Sequence, residues 1–146
     1  MHRLAALLAL IPLPAFGWQF QPDPVCTIAH DSGDMRVVVT WDPGAMPPYA
    51  ISMTLAEGAW PRDPAFHIAF SGGRGLTIGT GGHELTDDGR RLTVRDRGFD
   101  NVLDGLEFNL RAVAWSGTRG ELLDLTAAAP AVQAFRACAE GVGAMS

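Results

Sequence analysis

From Val25 onward, apolar and polar residues alternate over short runs bounded by Gly, Pro and Asp, the period of half-buried strands rather than of helices. Tyr49, Ile51, Met53 and Leu55 fall on one face of such a run, while Ala50, Ser52 and Thr54 fall on the other. Phe66, Ile68 and Phe70 repeat the pattern, with His67 and Ala69 between them. Residues 35–41 are rich in β-branched side chains, with Val37 and Val39 opposed to Arg36, Val38 and Thr40, and read as a more central strand. Further on, Gly72-Gly73, Gly81-Gly82 and Asp87-Asp88-Gly89 separate four runs, and glycine supplies the positive φ that tight hairpin turns need. The spacing predicts an antiparallel meander of residues 66–71, 74–80, 83–85 and 90–95. Two more strands, 107–115 and 121–125, follow it, turned by Ser116-Gly117 and Arg119-Gly120.

Two segments break this period. Phe99, Val102, Leu103 and Leu106 stand at helical spacing with Asp100 near the start, which predicts one or two helical turns. Near the C-terminus Pro130 sits in the first turn of a predicted helix over 127–138, in which Ala131, Phe135 and Cys138 share a face. The fold class that follows is all-β and mainly antiparallel, a β-sandwich or a partly closed barrel of seven to nine short strands with one C-terminal helix.

The N-terminus changes the picture of where this domain resides. His2 and Arg3 precede an apolar run over 4–13, Pro12 and Pro14 end it, and Ala15 and Gly17 occupy the small-residue positions ahead of a cut before Trp18. Residues 1–17 are therefore expected to be a signal peptide, 18–140 a single β-rich domain and 141–146 a flexible tail. The apolar run is shorter than the roughly 20 residues a membrane span requires, so no span is expected.

Two cysteines, Cys26 and Cys138, lie near the two ends of the expected mature chain. In an exported protein two cysteines read as one disulfide, worth about 4 to 5 kcal/mol through unfolded-state entropy on the chain model. The rival reading, a metal or redox pair, lacks a CxxC and a neighbouring histidine cluster. Together these features place the domain in the periplasm or outside the cell. The net charge of −5, with no lysine, argues against a nucleic-acid or anionic-membrane partner.

Candidate chemistry is sparse. Ser71-Gly-Gly-Arg-Gly75 has neither the following helix nor the GK[ST] ending of a phosphate loop, and a hairpin turn accounts for its glycines. Histidines 30, 67 and 83 occur without a GxSxG elbow, and paired cysteines leave no thiolate nucleophile. Asp96, Asp100 and Asp104 recur every four residues, a spacing that suits capping and solvation of a short helix and departs from a calcium loop. No residue is assigned to catalysis or to a metal, and no motif calls for a cofactor. The Pro-rich stretches 43–48 and 57–64 would present Tyr49 and Trp60, which are the candidate contacts for an envelope or extracellular protein partner. The expected function is an exported binding or protein-interaction domain. The alternative is a small secreted hydrolase whose histidine and carboxylate site only the fold assembles.

The segments Pro24-Val-Cys26, Thr93-Val-Arg-Asp-Arg-Gly-Phe99, Asn101-Val-Leu-Asp-Gly-Leu106 and Ala129-Pro-Ala-Val-Gln-Ala-Phe-Arg-Ala-Cys138 resemble a group of small exported alphaproteobacterial proteins. More remotely, the β-rich layout ending in an apolar helix resembles the invasion-associated locus B family, which implies a β-sandwich envelope protein with a role in host interaction. This chain lacks that family's additional cysteines and paired glycine signatures, so the resemblance transfers no binding residue.

Overall fold

The computed structural model describes residues 17–144. The expected signal peptide, apart from Gly17, lies outside the described residues, as do the last two residues of the expected tail. Ten strands and two helices follow in order: β1 (Gln19–Gln21), β2 (Cys26–Asp31), β3 (Met35–Trp41), β4 (Tyr49–Leu55), β5 (Phe66–Ser71), β6 (Leu76–Thr80), β7 (Glu84–Thr86), β8 (Arg91–Asp96), α1 (Asp100–Glu107), β9 (Arg111–Ser116), β10 (Arg119–Asp124) and α2 (Ala128–Ala144).

All strand pairs are antiparallel and form two open sheets, one ordered β1-β2-β3-β4-β8-β7 and the other β10-β9-β5-β6. The fold is a β-sandwich, not a closed barrel. Alternation decides the inward faces. Val37, Val39, Ile51 and Met53 of the larger sheet, with Phe66, Ile68 and Phe70 of the smaller, belong to one continuous core. Val37 stands opposite Met53 and Val39 opposite Ile51, so every second residue of β3 and β4 points inward.

The predicted meander is corrected by the topology. β5 pairs with β6, and β7 pairs with β8, but β6 and β7 belong to different sheets. The step between them is taken by Gly81 and Gly82, and neither adopts a positive φ. At the true hairpin before β8, Asp87, Asp88 and Gly89 have φ of 53°, 56° and 85°, the left-handed geometry such a turn requires. A glycine pair alone therefore marks a change of direction without saying whether the chain returns to the same sheet.

The helices close one end of the sandwich. α1 buries Val102, Leu103 and Leu106, and its Gly105 rests against the Phe70 ring. α2 packs on β1, β2 and α1, carrying buried Val132 and Phe135 to the core. α2 continues to Ala144, beyond the point where the tail was expected to begin. Arg136 of α2 joins Asp104 at 2.6 Å and Glu107 at 3.0 Å, which locks the two helices side by side. Cys26, first residue of β2, and Cys138 of α2 form a disulfide across 112 residues.

The two long sides of the sandwich differ. On one, buried Trp18 donates its indole N–H to the Asp124 carbonyl at 3.1 Å, tying the chain ahead of β1 to the end of β10. On the other, β6 and the end of β8 border a common opening, although they belong to different sheets.

Candidate functional site

That second side opens into a cleft of about 470 Å³. Its floor is built from neighbouring positions of both sheets: Ile51 stands opposite Val94, and Ile68 opposite Ile78, with Phe66 and Val102 completing the apolar lining. The rim is polar and includes Thr80, Arg95, Asp96, Asp100 and Asn101. An apolar floor with a few polar groups at the mouth is the usual composition of a binding pocket.

The strand beside the cleft is unlike the other three sheet edges. β1 and β7 are three residues long, the first followed by Pro22 and the second carrying Glu84. β10 carries Arg119, Glu121 and Asp124, with Arg119 and Glu121 paired at 2.9 Å. These are the devices by which proteins blunt an exposed edge. β6, with the sequence Leu-Thr-Ile-Gly-Thr, has five residues, no charge and no proline.

Trp60, expected as an exposed contact, is a core residue with 2% of its surface exposed. Its indole N–H donates to the Met53 carbonyl at 3.1 Å, and its ring meets Phe66 edge-on at 5.9 Å. The loop crossing between the sheets after β4 drives the indole inward because burial of its large apolar surface outweighs the loop's polar surroundings. Tyr49 is partly buried, stacked on Phe99 at 5.3 Å and tilted against Phe135 at 6.4 Å. Burial holds its phenol above the ordinary value of 10.0, Asp100 and Glu140 add to this, and Arg136 opposes it. The exposed apolar side chain of the 43–48 loop is instead Met46, at 85%.

The histidines are dispersed. His30 stacks on Trp18 and His67 on Trp115, each at 4.9 Å, while His83 lies against Phe66 at 6.1 Å. His83 shares a shallow surface depression with Asp63, yet Asp63 accepts its hydrogen bond from the Ala65 amide, and no serine, threonine or cysteine lines that depression. Among the described residues, no three His, Cys, Asp or Glu side chains converge as a metal site would require. Asp104 is held by Arg136, and Asp96 accepts from the Arg97 amide at 2.7 Å. The Ser71–Gly75 glycines turn β5 into β6, with Gly72 at φ 93° and the Arg74 guanidinium 4.4 Å above the Phe108 ring.

A second concavity, of about 370 Å³, lies on the outer face of the larger sheet. β3, β4, β7 and β8 alone line it, and its arginines were not singled out in the sequence as a group. The Arg91-x-Thr93-x-Arg95 alternation was the available signal, because period 2 places all three on one face. No helix of the described residues is long and apolar enough to cross a membrane. In comparisons with family models, curated proteins and solved structures, nothing matches this chain.

Proposed function

We propose that this chain is an exported interaction domain that holds an extended segment of a partner protein in the cleft beside β6. The observation that carries this reading is the coincidence of the apolar cleft with the one long, uncharged edge strand. An added strand would hydrogen-bond to the β6 edge through its backbone, and its alternate side chains would enter the cleft over Ile51, Ile68 and Val94. The disulfide supports an oxidising compartment, and with the expected signal peptide it supports release to the periplasm or the outside. The resemblance to exported envelope proteins is in keeping with that setting.

The test is selection of a displayed peptide library against the disulfide-bonded protein, with Ile78→Asp in parallel. Ile78 is partly buried and lines the cleft. Recovery of peptides with alternating apolar residues on the native protein, and their loss on a folded Ile78→Asp variant, is the expected result. Peptides that bind both proteins equally, or no enrichment at all, would overturn the reading.

A further inference from the structure

We propose that the outer face of the six-stranded sheet is a second binding site, and that it takes an anionic saccharide, a short sugar chain bearing carboxylates. The site does not rest on the cleft reading: it uses the opposite face of β4 and β8, and Arg95 is the one residue common to the two linings.

The cross-strand register lays this face out as a lattice. Arg36 and Arg91 share one row with Thr54 between them, so their Cα atoms stand roughly 10 Å apart. Arg95 lies one four-residue step along β8 from Arg91, about 13 Å away. Between them runs a row in which Ser52 faces Thr93 and Thr93 faces Glu84. All seven of these side chains line the same groove. Its floor is small and well covered: Ala50 and Thr93 are only 8% and 9% exposed, although the groove is lined by strands alone.

Charge selects the ligand class. The lining holds three arginines and one carboxylate, Glu84, in a chain whose net charge is −5. Arg91 is already engaged, donating to Thr54 Oγ1 at 3.2 Å and lying 3.5 Å from Asp87 in an exposed pair that contributes little. Asp31 stands across from Arg36 in the register, yet among the described residues neither Arg36 nor Arg95 makes an ion pair. Two forked donors are thus available to carboxylates.

The remaining lining argues for sugar. Hydroxyls of Ser52 and Thr93 can each donate or accept, whereas Glu84 can only accept while ionised. Sugar hydroxyls, which both donate and accept, can satisfy all three. A single oxyanion is too small to span the roughly 10 Å from Ser52 to Glu84, whereas a short oligosaccharide reaches across the row.

The experiment is an NMR titration of the disulfide-bonded protein at low ionic strength with tetragalacturonate, neutral maltotetraose and inorganic phosphate in separate arms. Tetragalacturonate is expected to shift the amide signals of Ser52, Thr54 and Thr93 saturably. Arg36→Gln should weaken that binding about tenfold, and Thr93→Val, which keeps the floor's shape and removes its hydroxyl, about threefold. Neither residue lines the cleft, and Ile78→Asp should leave saccharide binding unchanged, so this proposal and the peptide reading fail separately. Absence of saturable shifts, equal binding of maltotetraose, the same shifts from phosphate at the same concentration, or indifference to Arg36→Gln would each overturn it.

Discussion

Replacing Gly105 by alanine sets two known effects against each other, and the structure decides which is larger. Gly105 lies inside α1, where alanine ordinarily stabilises a helix by about 1 kcal/mol over glycine. Here the added Cβ would stand 2.5 Å from Phe70 Cδ2 and Cε2 and 2.6 Å from its Cζ. Carbon atoms pack comfortably at about 3.5 Å or more, so the ring would have to yield by about 1 Å. It has little room, being 3% exposed and flanked in the sheet by Leu76 and Ala112. Overpacking of that kind costs up to about 3 kcal/mol, which leaves a net loss of about 1 to 2 kcal/mol after the helical gain. Gly141 of α2 is the matched control, because a Cβ there meets nothing within 4 Å. Gly141→Ala should stabilise by up to about 1 kcal/mol. Urea denaturation followed by tryptophan fluorescence measures both, and the Gly105 variant should also melt several degrees lower, at about 4 °C per kcal/mol. If Gly105→Ala stabilises as Gly141→Ala does, the seating of α1 on Phe70 is refuted.

Trp60→Ala should cost about 3 to 5 kcal/mol, since it empties a core site and removes the indole hydrogen bond to the Met53 carbonyl. A loss below about 0.5 kcal/mol in the same denaturation assay would return Trp60 to the surface. Tyr49 is the only tyrosine, so absorbance at alkaline pH reports it alone, and its midpoint should lie above 10.0. Because the folded state holds that proton more tightly than the unfolded chain, the stabilisation is complete below pH 10.0 and is lost as pH rises through the folded midpoint. A midpoint at or below 10.0 would contradict the burial of the phenol against Phe99 and Phe135.

Strands with uninterrupted alternation were legible in the sequence, and β3, β4 and β5 begin and end where their patterns do. β1 was not, because Gln19-Phe20-Gln21 contains one apolar residue and no period can be read from three positions. The stretch from Leu106 to Ala114 satisfies a period of two through Leu106, Phe108, Leu110 and Ala112, so the predicted strand ran back to residue 107 over the last turn of α1. The pairing of the cysteines was readable from their number and setting. The cleft was not, since it arises from β6 and β8, which lie in different sheets and meet only because Gly81-Gly82 carries the chain across. The arginine groove shows the same limit in another form. The outer faces of β3 and β4 were assigned correctly, but Arg36 joins Arg91 and Arg95 only through the long-range pairing of β4 with β8. Trp60 was misplaced because flanking prolines and charges describe a loop's backbone and say nothing about where a large side chain goes.

The Cys26–Cys138 bond also has a mechanical meaning. With its two anchoring Cα atoms 5.9 Å apart, tension applied to the chain ends passes through the covalent link and leaves β3 to β10 unloaded. An oxidised copy tethered at both ends would act as an inextensible joint rather than a spring. Reduction would place the segment between the two cysteines, 112 residues apart in sequence, in the line of force and release a slack of roughly 380 Å once the sandwich gave way.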